Sequence, residues 1–154
     1  MFRNIQSRRN DLLMTDKLTP EKRSRNMSHI KSRDTSPELI VRKLIHRLGY
    51  RFRLHRKDLP GKPDLVFLSK KKVIFVHGCF WHQHPDKKCL DSRLPKSNKD
   101  YWAPKLQRNK DRDKQAKKNL TRLKWKYIVI WECETTKSET LKNKIHKFLA
   151  STHS

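Results

Sequence analysis

Apolar residues fall at helical spacing most clearly in one segment, where Ile40, Val41, Leu44, Ile45 and Leu48 recur every three or four positions and so share one face of a helix. Ser36-Pro37-Glu38 opens the segment and Gly49 closes it, with proline in the first turn and glycine past the last. Glu38 lies where the helix dipole favours a negative charge. Thr19 followed by Pro20 repeats the start signal, but only Met27 and Ile30 follow as apolar points, so this helix is expected to order on a partner. The period then changes to two. Tyr50, Phe52 and Leu54 alternate with Arg51 and Arg53, as in a half-buried strand. Residues 65–68 and 73–76 are apolar throughout and predict strands buried on both faces. Residues 77–103 carry no period. A helix with a basic outer face follows from about Pro104, marked by Leu106, Asp113, Ala116, Leu120 and Leu123. Residues 125–131 predict a buried strand and residues 141–149 a closing helix.

This order, helix, three strands, helix, strand, helix, predicts an α/β sandwich. The first three strands can pair as antiparallel neighbours, and the last must cross over through the long helix, giving a mixed sheet with helices on both sides. The domain is expected to span residues 15–150, with flexible tails at 1–14 and 151–154. There is no apolar run long enough to span a membrane, and the first ten residues are too polar for a secretory signal. A cytoplasmic protein is expected.

Charge narrows the partner. The 154 residues include 39 Lys+Arg against 15 Asp+Glu, a formal net charge of +24, and a polyanion relieves that self-repulsion. Nucleic acid comes first, because each neutralised phosphate releases a counterion. An anionic membrane surface comes second, but no amphipathic helix with a strong aromatic face is visible. Charge alone does not separate a binder from an enzyme.

Three clusters carry candidate chemistry. Cys79, His84 and Cys89 follow one another at x4 gaps, and Cys133 lies just beyond the last strand. A Cys3His set makes a closed, structural zinc site; the competing reading is buried free thiols. Asp64 follows Pro63 at the head of a buried strand, where a carboxylate is costly unless paired or metal-bound. With the backbone carbonyl of Val76 across the hairpin it offers oxygen ligands suited to magnesium; the competing reading is a turn residue paired with Lys62. His77 and His82 remain for proton work and phosphate contact, since histidine titrates near neutral pH; the competing reading is further zinc ligation or plain surface loop. Glu38 can orient a metal-bound water. Phe80, Trp81 and Trp102 lie in or beside the irregular stretch, which cannot bury Phe80 and Trp81 both well. Rings beside a basic surface can wedge between base pairs; the competing reading is core.

The run Phe75-Val76-His77-Gly78-Cys79-Phe80-Trp81-His82-Gln83-His84 closely resembles the very-short-patch repair (Vsr) endonucleases. So do Leu59-Pro60-Gly61-Lys62-Pro63-Asp64 before it, Val129-Ile130-Trp131-Glu132-Cys133 after it and Arg23-Ser24-Arg25-Asn26-Met27 near the start. The resemblance covers about residues 15–150 and implies a restriction-endonuclease-like fold. It implies a magnesium-dependent nick 5′ of the thymine in a T:G mismatch arising from deaminated 5-methylcytosine. It implies Asp64 as the carboxylate ligand of magnesium, Val76 as the carbonyl ligand, and His82 as general base. His77 and Glu38 would hold metal-bound water. The zinc ligands would be Cys79, His84, Cys89 and Cys133. Phe80, Trp81 and Trp102 would form the wedge, and Arg25, Asn26 and Met27 would contact DNA. It further implies a monomer in the nucleoid, tied functionally to a cytosine-5 methyltransferase and to mismatch-repair proteins. Two departures stand out. Val76 occupies a place where threonine is familiar, and Pro85-Asp86-Lys87-Lys88 lengthens the gap to Cys89.

Overall fold

The computed structural model describes residues 19–22 and 33–152. Helix α1 is Ser36–Arg47, strands β1, β2 and β3 are Arg53–Leu54, Leu65–Phe67 and Lys72–His77, and helix α2 is Lys99–Arg122. Strand β4 is Lys126–Trp131 and helix α3 is Ser138–Ala150. Pro37 lies in the first turn of α1. Gly49, at φ +92°, ends the helix by returning its N–H to His46 O at 3.0 Å, a left-handed position that a β-carbon disfavours.

The sheet has the order β1-β2-β3-β4. The β1–β2 and β2–β3 pairs are antiparallel, with Leu54 opposite Leu65 and Leu65 opposite Ile74. The β3–β4 pair is parallel, with Val76 opposite Ile130. The alternation of strand side chains divides the interior into two layers. Leu65, Phe67, Ile74 and Ile130 pack with Val41 and Ile45 of α1 and Leu141, Ile145 and Leu149 of α3. Val66, Val73 and Phe75 face the other way, onto Leu120 of α2. Helices therefore cover both faces, as the crossover requires. Among the described residues no helix is long and apolar enough to cross a membrane.

Two elements differ from the expected ones. The strand predicted over 50–54 shrinks to Arg53–Leu54. Its partner β2 ends at Phe67, which lies opposite Phe52 and meets it edge to face at 6.1 Å, so no strand is left opposite Tyr50; both rings pack against the α1–α3 layer. Helix α2 begins at Lys99, and Pro104 lies inside it. One and a half turns in, proline forfeits a single backbone bond, and the buried side chains of Trp102 and Leu106 hold that turn in place. Residues 20–22 are helical, and Lys22 N–H donates to Thr19 Oγ1 at 3.3 Å, the N-cap expected of Thr19. Arg25, Asn26 and Met27 lie outside the described residues.

Buried Lys72 ties the end of α3 to the sheet. Its Nζ donates to Phe148 O at 2.6 Å and to Ser151 Oγ at 2.9 Å, a cation placed at a helix C-terminus.

Candidate active site and metal centre

The turn before β2 delivers Asp64 to the end of the sheet. It needs glycine: Gly61 has φ +76°, and a β-carbon there would stand 2.7 Å from Ala116 Cβ. The turn thus rests on α2. Asp64 Oδ2 accepts the Val76 N–H at 2.7 Å. Extending the β2–β3 register by two places sets Val76 opposite Pro63, which has no N–H to offer the Val76 carbonyl. Burial raises the Asp64 carboxyl from an ordinary 3.8 to about 7, against the stabilising Val76 N–H, and nearby Glu38 pushes the same way. Free of a cation, this carboxylate sits in an unfavourable place.

Glu38, in the first turn of α1, is buried and reaches the same end of the sheet. Its Oε1 accepts a bond from Arg42 and lies 2.8 Å from His55 Nε2. His55 Nδ1 is 3.9 Å from Asp64 Oδ1, so the His55 ring stands between the two acids. Arg42 also pairs with Asp34 at 2.7 Å.

Imidazoles approach from the other side. His77, the last residue of β3, is buried and stacks on His82 with ring centroids 3.8 Å apart. Burial first, then the facing His82, lowers the His77 pKa to about 3, so the ring is neutral at working pH. Its Nδ1 is buried with no hydrogen-bond partner among the described residues, an orphan that a water or ligand would satisfy. His82 Nδ1 lies 2.6 Å from Asp113 Oδ2 on α2. That contact fixes the ring and leaves Nε2 as its other reactive nitrogen.

Cys79, His84, Cys89 and Cys133 come together as a second cluster, their ligand atoms all within 4.8 Å of one another. Cys133 Sγ is 3.5 Å from His84 Nδ1, and the His84 ring stacks on Trp131 at 4.4 Å. The lengthened His84–Cys89 gap does not displace Cys89, because residues 86–89 turn back through the Cys89 N–H to Asp86 O bond of 3.0 Å. Burial drives the Cys79 and Cys133 thiols upward, and both also feel the neighbouring Cys89 sulfur. Three sulfurs and one imidazole nitrogen at these separations fit a tetrahedral zinc ion.

The aromatic residues divide between the two readings weighed for them. The loop buries Phe80 almost fully, and Trp102 is equally buried on α2. The two rings meet edge to face at 5.3 Å and pack with Leu106. The first turn of α2 supplies the wall for Phe80, and the stretch does not bury Phe80 and Trp81 both. Trp81 stays half-buried, with Lys105 Nζ 5.7 Å from its ring centroid. It is the ring of the three that remains open beside a cation.

Asp64, Val76, His77, His82 and Glu38 thus gather at one end of the sheet, and the four thiol and imidazole ligands gather beside it. Sequence reading missed Asp113, His55, Arg42 and Asp34. Asp113 fell on the inward face of the predicted helix, where an acid among leucines and alanine was the available signal.

Comparison with known proteins finds the profile of the family described as DNA mismatch endonuclease Vsr matching residues 15–88. The type II nicking enzyme V.XorIIP of Xanthomonas oryzae is 48% identical over 136 residues, 88% of this chain and 98% of that one. The type II nicking enzyme V.NmeAIP of Neisseria meningitidis is 39% identical, covering 88% of this chain and 95% of that one. The DNA mismatch endonuclease Vsr of Escherichia coli is 37% identical, covering 77% and 74%.

Proposed function

The chain belongs to the Vsr family, and from that membership we propose that it is a DNA mismatch endonuclease. It nicks one strand of duplex DNA 5′ of the thymine in a T:G pair left by deaminated 5-methylcytosine, and so initiates very-short-patch repair. The observation that carries this reading is the Asp64 carboxylate, half-buried and aligned by the Val76 N–H, beside the stacked His77–His82 pair. The sheet flanked by helices suits a restriction-endonuclease-like scaffold, with zinc as a structural ion on the four-ligand cluster. A protein of +24 charge has the strong, salt-dependent hold on DNA that such an enzyme needs.

Asp64 and the Val76 carbonyl would hold the magnesium ion. Bound there, magnesium would polarise the scissile phosphate and acidify a water. The chain's own groups do the rest. Asp113 holds the His82 ring through Nδ1, so Nε2 is free to take the proton of the attacking water. Neutral His77 stacks on His82 and limits its rotation, and its orphaned Nδ1 is suited to anchor a water. Glu38 orients a second water near Asp64. Trp81 enters beside the mismatch, where unstacking is cheapest, and the Phe80–Trp102–Leu106 cluster backs it. Arg25, Asn26 and Met27 contact the DNA from the N-terminal segment. The protein acts as a monomer in the nucleoid, beside a cytosine-5 methyltransferase and in exchange with mismatch-repair proteins.

End-labelled duplexes carrying T:G or T:A, incubated with magnesium, test the reading. A single cut on the thymine strand of T:G alone supports it. Binding without cleavage points to a silent recognition module, and equal cutting of both strands to a restriction-type enzyme. Two substitutions sharpen the roles. Asp113→Asn removes the acceptor on His82 and should slow single-turnover nicking by about 10²- to 10³-fold, with DNA affinity within about twofold, since phosphate contacts dominate it; an unchanged rate rejects Asp113 as the group orienting His82. Trp81→Ala should cut the preference for T:G over T:A by about tenfold or more, in line with one lost base–aromatic stack, while total affinity stays salt-driven. Unaltered discrimination in competition binding counts against the wedge.

A further inference from the structure

His55 closes β1 in a left-handed conformation, φ +47°, which any β-carbon disfavours and which tends to persist where the surrounding structure demands it. Its N–H donates to Asp64 O at 3.3 Å, so the backbone is pinned directly to the residue proposed to bind the cation. The bend brings the ring between two acids rather than out with its neighbour Leu54, which is exposed. Nε2 stands 2.8 Å from Glu38 Oε1, and Nδ1 stands 3.9 Å from Asp64 Oδ1. Arg42 supplies the outer side of the clamp. Its Nη2 lies on Glu38 Oε1, 2.9 Å from His55 Nε2, and 2.7 Å from Asp34 Oδ1. Two nitrogen donors thus converge on one oxygen of Glu38, and neither contact uses Oε2.

We propose that His55 is a positioning residue of the catalytic centre, a ring wedged between Glu38 and Asp64 that sets where both carboxylates face a divalent cation and its water. The donor to Glu38 is Nε2–H, because the carboxylate oxygen accepts; Arg42 Nη2, 2.9 Å from the same nitrogen, is also a donor, so the two lie side by side with Glu38 Oε1 as their shared acceptor. The ring orientation leaves Nδ1 facing Asp64 and makes the ring a spacer between two acids, which would otherwise repel or share a proton. Arg42 keeps Glu38 from rotating away. Partners of this kind, one step removed from the ion, typically change metal affinity or activity by about 10- to 100-fold. The role rests on the proposed nuclease reading, but its test does not depend on the substrate.

The test compares the full-length wild type with His55→Gly, His55→Asn and Asp64→Asn. Manganese alone is titrated and followed by the loss of the free-ion electron paramagnetic resonance signal, with Asp64→Asn as the blank. Melting temperature and single-turnover nicking of a T:G duplex are read on the same preparations. Glycine relieves the left-handed backbone and removes the ring, so its melting temperature should match or exceed the wild type. Its half-saturating manganese should rise about tenfold or more and its nicking fall about 100-fold, with DNA affinity within about twofold. Asparagine tolerates the left-handed backbone and offers Glu38 an amide N–H, so it should recover at least about tenfold of the lost rate. A glycine variant with wild-type manganese affinity and nicking overturns the inference. So does a loss that tracks a fall in melting temperature, or an asparagine variant no better than glycine. If the wild type binds manganese through Asp64 yet cuts no T:G duplex, the nuclease reading fails while the manganese comparison still decides the role of His55.

Discussion

Asp64→Asn is expected to abolish nicking, by about 10⁴-fold or more given what a metal ion supplies to phosphodiester cleavage, and at the same time to stabilise the metal-free protein above pH 7. Both results come from one placement. The carboxyl is half-buried, and that desolvation lifts its pKa to about 7 against an ordinary 3.8, so the folded state holds this proton more tightly than the unfolded chain. Stability contributed by the neutral acid is fully present below about pH 4. It is lost as pH rises toward 7, because the unfolded chain ionises first. Roughly three pKa units at 1.36 kcal/mol each set an upper figure of about 4 kcal/mol. Asparagine never ionises and escapes that loss. Its melting temperature should therefore exceed that of the wild type by several degrees at pH 8 and converge with it near pH 4. Magnesium should narrow the gap at pH 8 by stabilising the ionised wild type alone. Calorimetry at the two pH values, with and without magnesium, checks this. A variant that melts lower than wild type at pH 8 contradicts the burial argument, and surviving activity contradicts the metal role.

Cys79→Ser is expected to have the second largest effect. Cys79 is fully buried, and burial with two neighbouring sulfurs keeps its thiol protonated when no metal is present. Zinc converts such thiols to thiolates, and its binding energy becomes folding energy. The ion would join residues 79, 84 and 89 to Cys133 beyond β4, so its loss frees the loop that carries Phe80, Trp81 and His82. We expect zinc content to fall from one ion per chain toward none. Losing the site should lower the melting temperature by about 10 °C or more. Residues 78–98 should become open to proteases, and nicking should vanish because His82 moves with them. Reloading zinc into chelated wild type should release about three protons, one for each cysteine. Active wild-type protein that contains no zinc, or an unchanged melting temperature in the variant, would falsify the structural-zinc reading.

What could be read from the chain beforehand depended on whether a residue's role is local. Helix α1, the β2–β3 hairpin and β4 have strong apolar periods and capping signals within themselves, and their crossover follows from strand order. The thiol cluster was legible because only three cysteines exist and one lies just past a strand end. Strand β1 was not, since its length is set by β2, the partner that a turn cuts short. The start of α2 was hidden by Pro104, which reads as a helix opening. That hidden first turn carries Trp102, whose ring packs on Phe80, so the choice between wedge and core stayed open for both until the turn buried them. Asp113 pairs with His82 across 31 positions, and His55 meets Glu38 only after α1 and β1 fold together. No local pattern announces either pairing. The positive φ of His55 is equally invisible in sequence, being imposed by what surrounds it.

Asp64 and the Val76 carbonyl are proposed to gather a divalent cation beside the histidine pair. Crystals of the protein with a T:G duplex and manganese, examined by anomalous scattering, put this to the test. A peak is expected touching the Asp64 carboxylate and the Val76 carbonyl, next to the phosphate 5′ of the mispaired thymine and within reach of His82. An ion bound elsewhere, with Asp64 distant from both metal and scissile phosphate, would contradict it.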